Sequence, residues 1–256
     1  MENMAVKFDC MRFTSDGWAD APVYVPAEME LTIFVNKQEL VTILCTPGDL
    51  NYLVLGFLHG EGIISNLDDI ASMRLCADEA LADVRLKNPD FRTPARRTLT
   101  SGCGGGTIFK AQGEKVDSPL VVSPADVLSL MEQLLEQMEL YRLSGGVHTS
   151  ALAETDKLLV IAEDIGRHNT LDKIQGECLV RGIATRDRLL LTTGRISSEM
   201  LFKAAKMQIP VIVSRHSPTG NAVTLARELG LTLVGHARAG RFVVYSHPER
   251  LGRPDG

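Results

Sequence analysis

Between residues 149 and 246, short β-branched or leucine-rich runs alternate with runs of helical period, and this alternation constrains the chain more than any other feature. Strands are predicted at about 149–154, 158–163, 188–193, 210–214, 231–235 and 241–246, and helices at about 169–181, 197–207 and 218–229. Ahead of them, Ser123-Pro124 reads as an N-cap followed by proline at the first helical position. Val127, Leu130, Met131, Leu134, Leu135 and Met138 then recur at helical spacing until Gly145-Gly146. Such alternation predicts the α/β class, as a three-layer α/β/α sandwich around a largely parallel sheet.

The first half reads differently. Residues 1–25 form an arm or a first edge segment around Pro22 and Pro26. Glu30–Val35 and Glu39–Leu44, separated by Asn36-Lys37-Gln38, predict a hairpin. Asp49 is placed to cap a helix from Leu50 to about Gly60, and short strands follow near 73–77, 81–87 and 96–100. The expected division is a smaller N-terminal α+β domain over 1–119 and an α/β domain over 120–256.

With 256 residues, 45% of them hydrophobic, the chain has ample material for a core. A formal charge of −5 argues against a protein that coats a nucleic-acid backbone, so an anion must be held by a local cluster of cations. No apolar run approaches the ~20 residues that span a bilayer, and the first residues lack the basic-then-apolar layout of a secretory signal. Cys10, Cys45, Cys76, Cys103 and Cys178 are scattered, with no Cys-x-x-Cys pair, which fits neither a disulfide framework nor a four-ligand zinc site. The expectation is a cytoplasmic, reduced protein without partners of nucleic acid or membrane, and without a resident metal.

Arginines recur where the predicted strands hand over to helices. The junctions read Glu163-Asp164-Ile165-Gly166-Arg167-His168-Asn169, Thr192-Thr193-Gly194-Arg195-Ile196-Ser197-Ser198 and Ser214-Arg215-His216-Ser217-Pro218-Thr219-Gly220. A final turn, His236-Ala237-Arg238-Ala239-Gly240-Arg241, adds two more cations. Ligands of open α/β sheets bind beyond the carboxyl ends of strands, where helix N-termini offer free N–H groups. Arginine adds two-pronged recognition of phosphate oxygens. The four segments therefore predict a site for a phosphorylated, nucleotide-like ligand. Pairing of the arginines with Asp164, Glu199 or solvent is the bland alternative.

Cys103 stands in Ser101-Gly102-Cys103-Gly104-Gly105-Gly106, where four glycines in five positions surround one thiol. Such a segment is no core strand; it is either a mobile loop that carries the thiol to a partner or a tight turn with an idle cysteine. The other four cysteines are expected to be small core hydrophobes. His148 and His168 are candidate acid–base groups or satisfied structural histidines, and Asp164 either orients its neighbours or caps the turn. His59-Gly60-Glu61-Gly62 offers only two metal-binding side chains. No Walker A loop, no Gly-x-Gly-x-x-Gly and no zinc-deaminase signature is present.

Taken together, these residues resemble the formate dehydrogenase accessory sulfurtransferases (the FdhD/NarQ family) from about residue 30 to 250. The resemblance rests on Gly56-Phe57-Leu58 through Glu61-Gly62-Ile63-Ile64, on Gly145-Gly146-Val147-His148, and on Glu163-Asp164-Ile165-Gly166-Arg167-His168-Asn169 with Asp172-Lys173. Thr193-Gly194-Arg195 with Ser198-Glu199-Met200, and Leu229–Gly235 before Gly240-Arg241-Phe242, complete it.

The resemblance implies a sulfur carrier. It would accept sulfur from a cysteine desulfurase as a persulfide on Cys103. It would pass that sulfur to the molybdenum (or tungsten) cofactor, in its bis-molybdopterin guanine dinucleotide form, before insertion into formate dehydrogenase. It further implies a homodimer, and a larger domain similar to the cytidine deaminase fold without the zinc ligands. The segment His236, Ala237, Arg238, Ala239, Gly240, Arg241 matches the family's cofactor-binding loop, departing from the commoner pattern at His236 and Ala237. Arg167, His168, Arg195 and Arg215 would hold the guanosine phosphates. The family loop usually carries a second cysteine three positions after the first; here that position is Gly106, so a two-thiol relay within the loop is not available. A cofactor-binding chaperone that moves no sulfur is the alternative, and a nucleotide hydrolase or deaminase a weaker third.

Overall fold

A computed structural model describes residues 4–76, 78–91, 98–99, 107–108 and 115–252. Its elements in chain order are β1 (Ala5–Thr14), β2 (Gly17–Pro26), β3 (Met29–Val35), β4 (Gln38–Cys45), α1 (Leu50–Gly60), β5 (Ile70–Cys76), β6 (Leu81–Leu86), β7 (Thr98–Leu99) and β8 (Thr107–Ile108). Then follow α2 (Pro124–Glu136), α3 (Glu139–Ser144), β9 (His148–Ala153), β10 (Leu158–Asp164), α4 (Arg167–Arg181), β11 (Leu189–Thr192), α5 (Ser198–Lys206), β12 (Val211–Ser214), α6 (Gly220–Leu229), β13 (Thr232–Arg238) and β14 (Arg241–Ser246).

The second half builds a six-stranded sheet in the order β10-β9-β11-β12-β13-β14. Its central strands, Leu189–Thr192 and Val211–Ser214, are buried at every position, as continuous apolar runs covered on both faces must be. Side chains alternate between faces. Leu190, Ile212 and Leu233 pack with Ile174, Met200 and Ala222 of α4, α5 and α6. Leu189, Leu191, Val211 and Val213 pack with Val127, Leu130 and Leu134 of α2. Helices thus cover both faces of the sheet. The sheet itself is mixed and not largely parallel: β11-β12-β13 run parallel, while β10-β9, β9-β11 and β13-β14 are antiparallel. The physical reason is connection length, since the short turns after Ala153 and Arg238 can close only antiparallel pairs.

The first half carries a four-stranded sheet, β4-β3-β6-β5, whose core of Leu31, Ile33, Leu40 and Val84 is closed by Leu53, Phe57 and Leu58 of α1. The β3–β4 turn is Asn36-Lys37, both at positive φ, the two-residue geometry that matches strand twist. The other side of α1 lies on α4. A Cβ placed on Gly56 would stand 1.7 Å from the Asp172 carbonyl oxygen, and one on Gly176 would stand 1.9 Å from that of Tyr52. These two glycines let the backbones of α1 and α4 touch, joining the two halves along a helix pair. The chain already packs on the second half by Val116, buried and donating from its N–H to Leu229 O at 2.8 Å.

Two local expectations need correction. Asp49 occupies the N-cap of α1, but at φ 54° its side chain makes no capping bond. The helix begun at Ser123-Pro124 stops at Glu136, and α3 forms a separate turn because the Glu163 carboxylate accepts from the N–H groups of Leu140 and Tyr141 at 2.7 and 3.0 Å. Residues 5–26, expected as an arm or a first edge segment, form a long antiparallel hairpin, β1–β2, that lies against α3.

Candidate functional site

The sheet order gathers one edge. The carboxyl ends of β10, β11, β12 and β13 lie there with the start of β9 and of β14, since Asp164 pairs with His148, Ser150 with Thr192, Thr192 with Ser214, and Arg238 with Arg241. Arg167, His168, Arg195, Arg215, His236, Arg238 and Arg241 all sit on elements or turns at this edge. The helices α4 and α5 begin at it, and their N-caps, Gly166 and Ser197, make no side-chain capping bond. Their first-turn N–H groups receive no bond from an N-cap side chain, and the positive ends of the helix dipoles lie behind them.

Hydroxyl groups set the turns that carry the cations. Ser150 Oγ bonds Thr170 Oγ1 at 2.7 Å and Thr192 Oγ1 at 2.9 Å, and Thr170 Oγ1 donates to Arg167 O at 2.7 Å. Thr192 Oγ1 accepts from Gly194 N at 3.1 Å. Ser214 Oγ donates to Gly194 O at 2.7 Å while accepting from His216 N at 3.0 Å. Each junction is thereby tied to its neighbour.

Gly194 lets the Arg167 and His148 side chains come close, for a Cβ there would lie 3.1 Å from Arg167 Cβ and 3.5 Å from His148 Nδ1. Burial, then Arg167 and the imidazoles of His216 and His168, hold His148 below the ordinary range of a histidine, with Asp164 a weaker opposing influence. Partial burial, then Arg215, Arg238, Arg195 and His236, do the same to His216. Both histidines thus lie within the electrostatic reach of the cationic turns. His168 Nε2 is held by Glu199 Oε2 at 3.0 Å, with Ser197 Oγ at 3.5 Å.

The carboxylates that could have neutralised the arginines are engaged elsewhere. Asp164 faces Lys173 at 2.7 Å, and Glu199 faces His168. Among the described residues, Arg167, Arg195, Arg215, Arg238 and Arg241 pair with no carboxylate, and the buried Nε of Arg167 has no partner. Unpaired guanidinium groups beside uncapped helix N-termini can hold a polyanion through directed, charge-assisted hydrogen bonds.

The final turn is shaped by a bulge. The β13–β14 register shifts between Gly235 and Arg238, and His236 and Ala239 adopt positive φ of 54° and 51°. Arg238, Ala239, Gly240 and Arg241 are exposed, and His236 is half-buried. Ala237 points the other way and is buried in the core.

Cys103 falls between β7 and β8 in the chain and lies outside the described residues; of the expected strand at 96–100, Thr98–Leu99 is described, paired with Thr107–Ile108. Cys45 and Cys178 are core residues as expected, and burial pushes both thiols up to about 12. Cys10 and Cys76 are not: the first is exposed on the hairpin and the second half-buried at the end of β5. No cluster of three or more metal-binding side chains occurs among the described residues. No helix there is long and apolar enough to cross a membrane. His216, which adjoins Arg215 in the third junction, joins the site although a lone histidine there carries no distinct sequence signal. Thr46, which reaches Asp164 from 118 residues away, carries no local signal in the sequence.

The chain is similar to the sulfur carrier protein FdhD of Bacillus subtilis (strain 168), 41% identical over 234 residues and 88% of each chain. It is similar to the protein of the same name from Staphylococcus aureus (strain MRSA252), 40% identical over 233 residues and again 88% of each. The crystal structure of a protein assigned as a formate dehydrogenase accessory protein from Desulfotalea psychrophila superposes with a TM-score of 0.82 at 27% identity, covering 97% of this chain and 99% of that one. The FdhD/NarQ family model matches residues 26–252, which takes in both sheets and the whole cationic edge, and the chain belongs to that family.

Proposed function

We propose that this protein carries sulfur for the maturation of formate dehydrogenase. Its Cys103 thiolate attacks the outer sulfur of a cysteine desulfurase persulfide; a new S–S bond forms, the old one breaks, and the desulfurase cysteine leaves as thiolate. The outer sulfur would then pass to the molybdenum or tungsten cofactor, bound as substrate through its guanine dinucleotide phosphates. The bond from Cys103 to that sulfur breaks, Cys103 leaves as thiolate, and two electrons from the reduced metal or a thiol reductant bring the sulfur to the sulfide level before the cofactor is released to formate dehydrogenase. The observation that carries the reading is the edge of unpaired guanidinium groups and uncapped helix N-termini, in a chain whose relatives are named sulfur carriers. A cofactor with two guanine dinucleotides is a polyanion suited to such an edge. Attack by one thiolate requires no second cysteine in the loop, so Gly106 is compatible with it.

Gly106 also favours the second reading, a chaperone that binds the cofactor and docks the enzyme without moving sulfur. Complementation separates the two. In cells lacking their own copy, Cys103→Ala should leave formate dehydrogenase activity at background while the purified variant still binds GDP. Restoration to the wild-type level by Cys103→Ala would overturn the carrier reading and establish the chaperone. The same family reading makes the protein a cytoplasmic homodimer, and the surface suited to a second copy is one face of the β1–β2 hairpin. Val6, Phe8 and Val25 on that face are 45%, 52% and 38% exposed, an unusual density of apolar side chains for a free ribbon.

A further inference from the structure

Asp164 ends β10 with its carboxylate fully buried, and its two oxygens face opposite ways. Oδ2 accepts from Thr46 N at 3.1 Å and from Thr46 Oγ1 at 2.9 Å, and lies 2.7 Å from Lys173 Nζ. Lys173, also fully buried, donates in addition to Thr46 Oγ1 at 2.9 Å and Glu163 O at 3.2 Å. Oδ1 accepts from Gly166 N at 2.8 Å and from Asn169 Nδ2 at 2.7 Å, while Asn169 Nδ2 also reaches Leu44 O at 2.7 Å. One carboxylate thus ties the end of β4 to the turn that opens α4. That turn has little freedom of its own, because Gly166 packs so tightly on Asn169 that a Cβ would lie 2.7 Å from its side-chain nitrogen.

Desolvating an ion pair costs several kcal/mol, and apolar groups of similar volume often stabilise as well. A pair so deeply buried is weak evidence for stability and better evidence for a fixed geometry. Here the geometry it fixes is the position of Arg167 and His168, the two residues that follow Gly166 at the anion edge. Thr46 enters from the other half of the molecule and completes the shell of the carboxylate.

We propose that Asp164 and Thr46 are positioning residues of the anion site: Thr46 orients the buried carboxylate, which holds the Gly166 turn and so sets Arg167 and His168 where phosphate is bound. The inference rests on the guanine-nucleotide reading above. It makes ligand affinity depend on a hydroxyl that touches no ligand and belongs to the N-terminal sheet.

The test is calorimetric titration of GDP into the full-length wild type, Thr46→Val and Thr46→Ser, with the thermal midpoint of each measured alongside. Valine keeps the shape and the backbone N–H and leaves the Asp164–Lys173 pair in place, so this variant folds where a change at Asp164 itself need not. GDP should bind about tenfold more weakly to Thr46→Val, and within about twofold of wild type to Thr46→Ser, as expected for one hydrogen bond to a charged group. A merely structural threonine would lower the thermal midpoint and leave the affinity alone. Wild-type affinity in Thr46→Val, whatever its midpoint, would overturn the positioning role while leaving the nucleotide reading intact. A wild type that does not bind GDP would overturn both.

Discussion

A histidine placed among guanidinium groups is a proton acceptor held in reserve. His148 and His216 both sit below the ordinary imidazole value of about 6.5, through burial first and neighbouring cations second. Both are therefore neutral at pH 7 in the free protein. A bound polyanion offsets the cations and raises these values, so binding takes up protons, and affinity climbs as pH falls through the raised, ligand-bound values and levels off below the free-site ones. The climb is at most about tenfold per pH unit for each proton taken up. The sign for stability is the reverse. An unfolded histidine takes up its proton near 6.5 while the folded one does not, so the free protein loses stability as pH drops below that value. Titrations of GDP in two buffers of different ionisation heat would show the uptake directly, and its absence would remove these histidines from the site. The arginines of this edge were legible in the sequence because each follows a strand. The burial of Cys45 and Cys178 was legible too, whereas Cys10 and Cys76 stand in equally apolar surroundings and are left uncovered. Local sequence does not encode which face of a strand will find a neighbour.

At the scale of elements, the contact of α1 with α4 joins the two halves of the molecule. Gly56 and Gly176 make it possible by bringing backbone onto backbone. Gly56→Ala would press a methyl group into the Asp172 carbonyl, with no flexible side chain to yield. A loss of about 3 kcal/mol or more is expected, measured as the shift in a urea unfolding midpoint. A loss below about 1 kcal/mol would mean the helices are not packed this closely. The strands and helices themselves were readable from period and capping: α2 starts where Ser123-Pro124 placed it, with Ser123 Oγ accepting from Asp126 N at 3.1 Å. The break between α2 and α3 was not, because the Glu163 carboxylate that organises it belongs to a strand twenty residues further on. Strand direction is hidden from the sequence for another reason. Alternation of element types suggests crossover connections, but β9–β10 and β13–β14 are closed by short turns.

For the molecule as a whole, a net charge of −5 coexists with a cationic edge, and the resolution lies in topology. Four strands end on one side, and the turns that follow them carry the cations together. The β1–β2 hairpin is the other large-scale feature, with Phe13 and Trp18 in tilted ring contact near its tip, their centroids 5.1 Å apart. Phe8→Ser with Val25→Ser should convert a dimer to a monomer in light scattering with little change in GDP affinity. A variant that stays dimeric would move the interface elsewhere. Sequence indicated an arm here, but not that apolar side chains would stand exposed on both its faces, Val6, Phe8 and Val25 on one and Met11, Phe13, Trp18 and Tyr24 on the other, which follows from the hairpin register.

The carrier role itself is tested most directly by intact-protein mass spectrometry after incubation with a cysteine desulfurase and cysteine, on wild type and on Cys103→Ala. Gain of one sulfur atom on the wild type alone, reversed by a reductant, is the predicted result. An equal gain on Cys103→Ala would assign the sulfur to another thiol, with exposed Cys10 the first to examine. No gain on either protein, with the desulfurase shown to be active, would contradict the sulfur-carrier account.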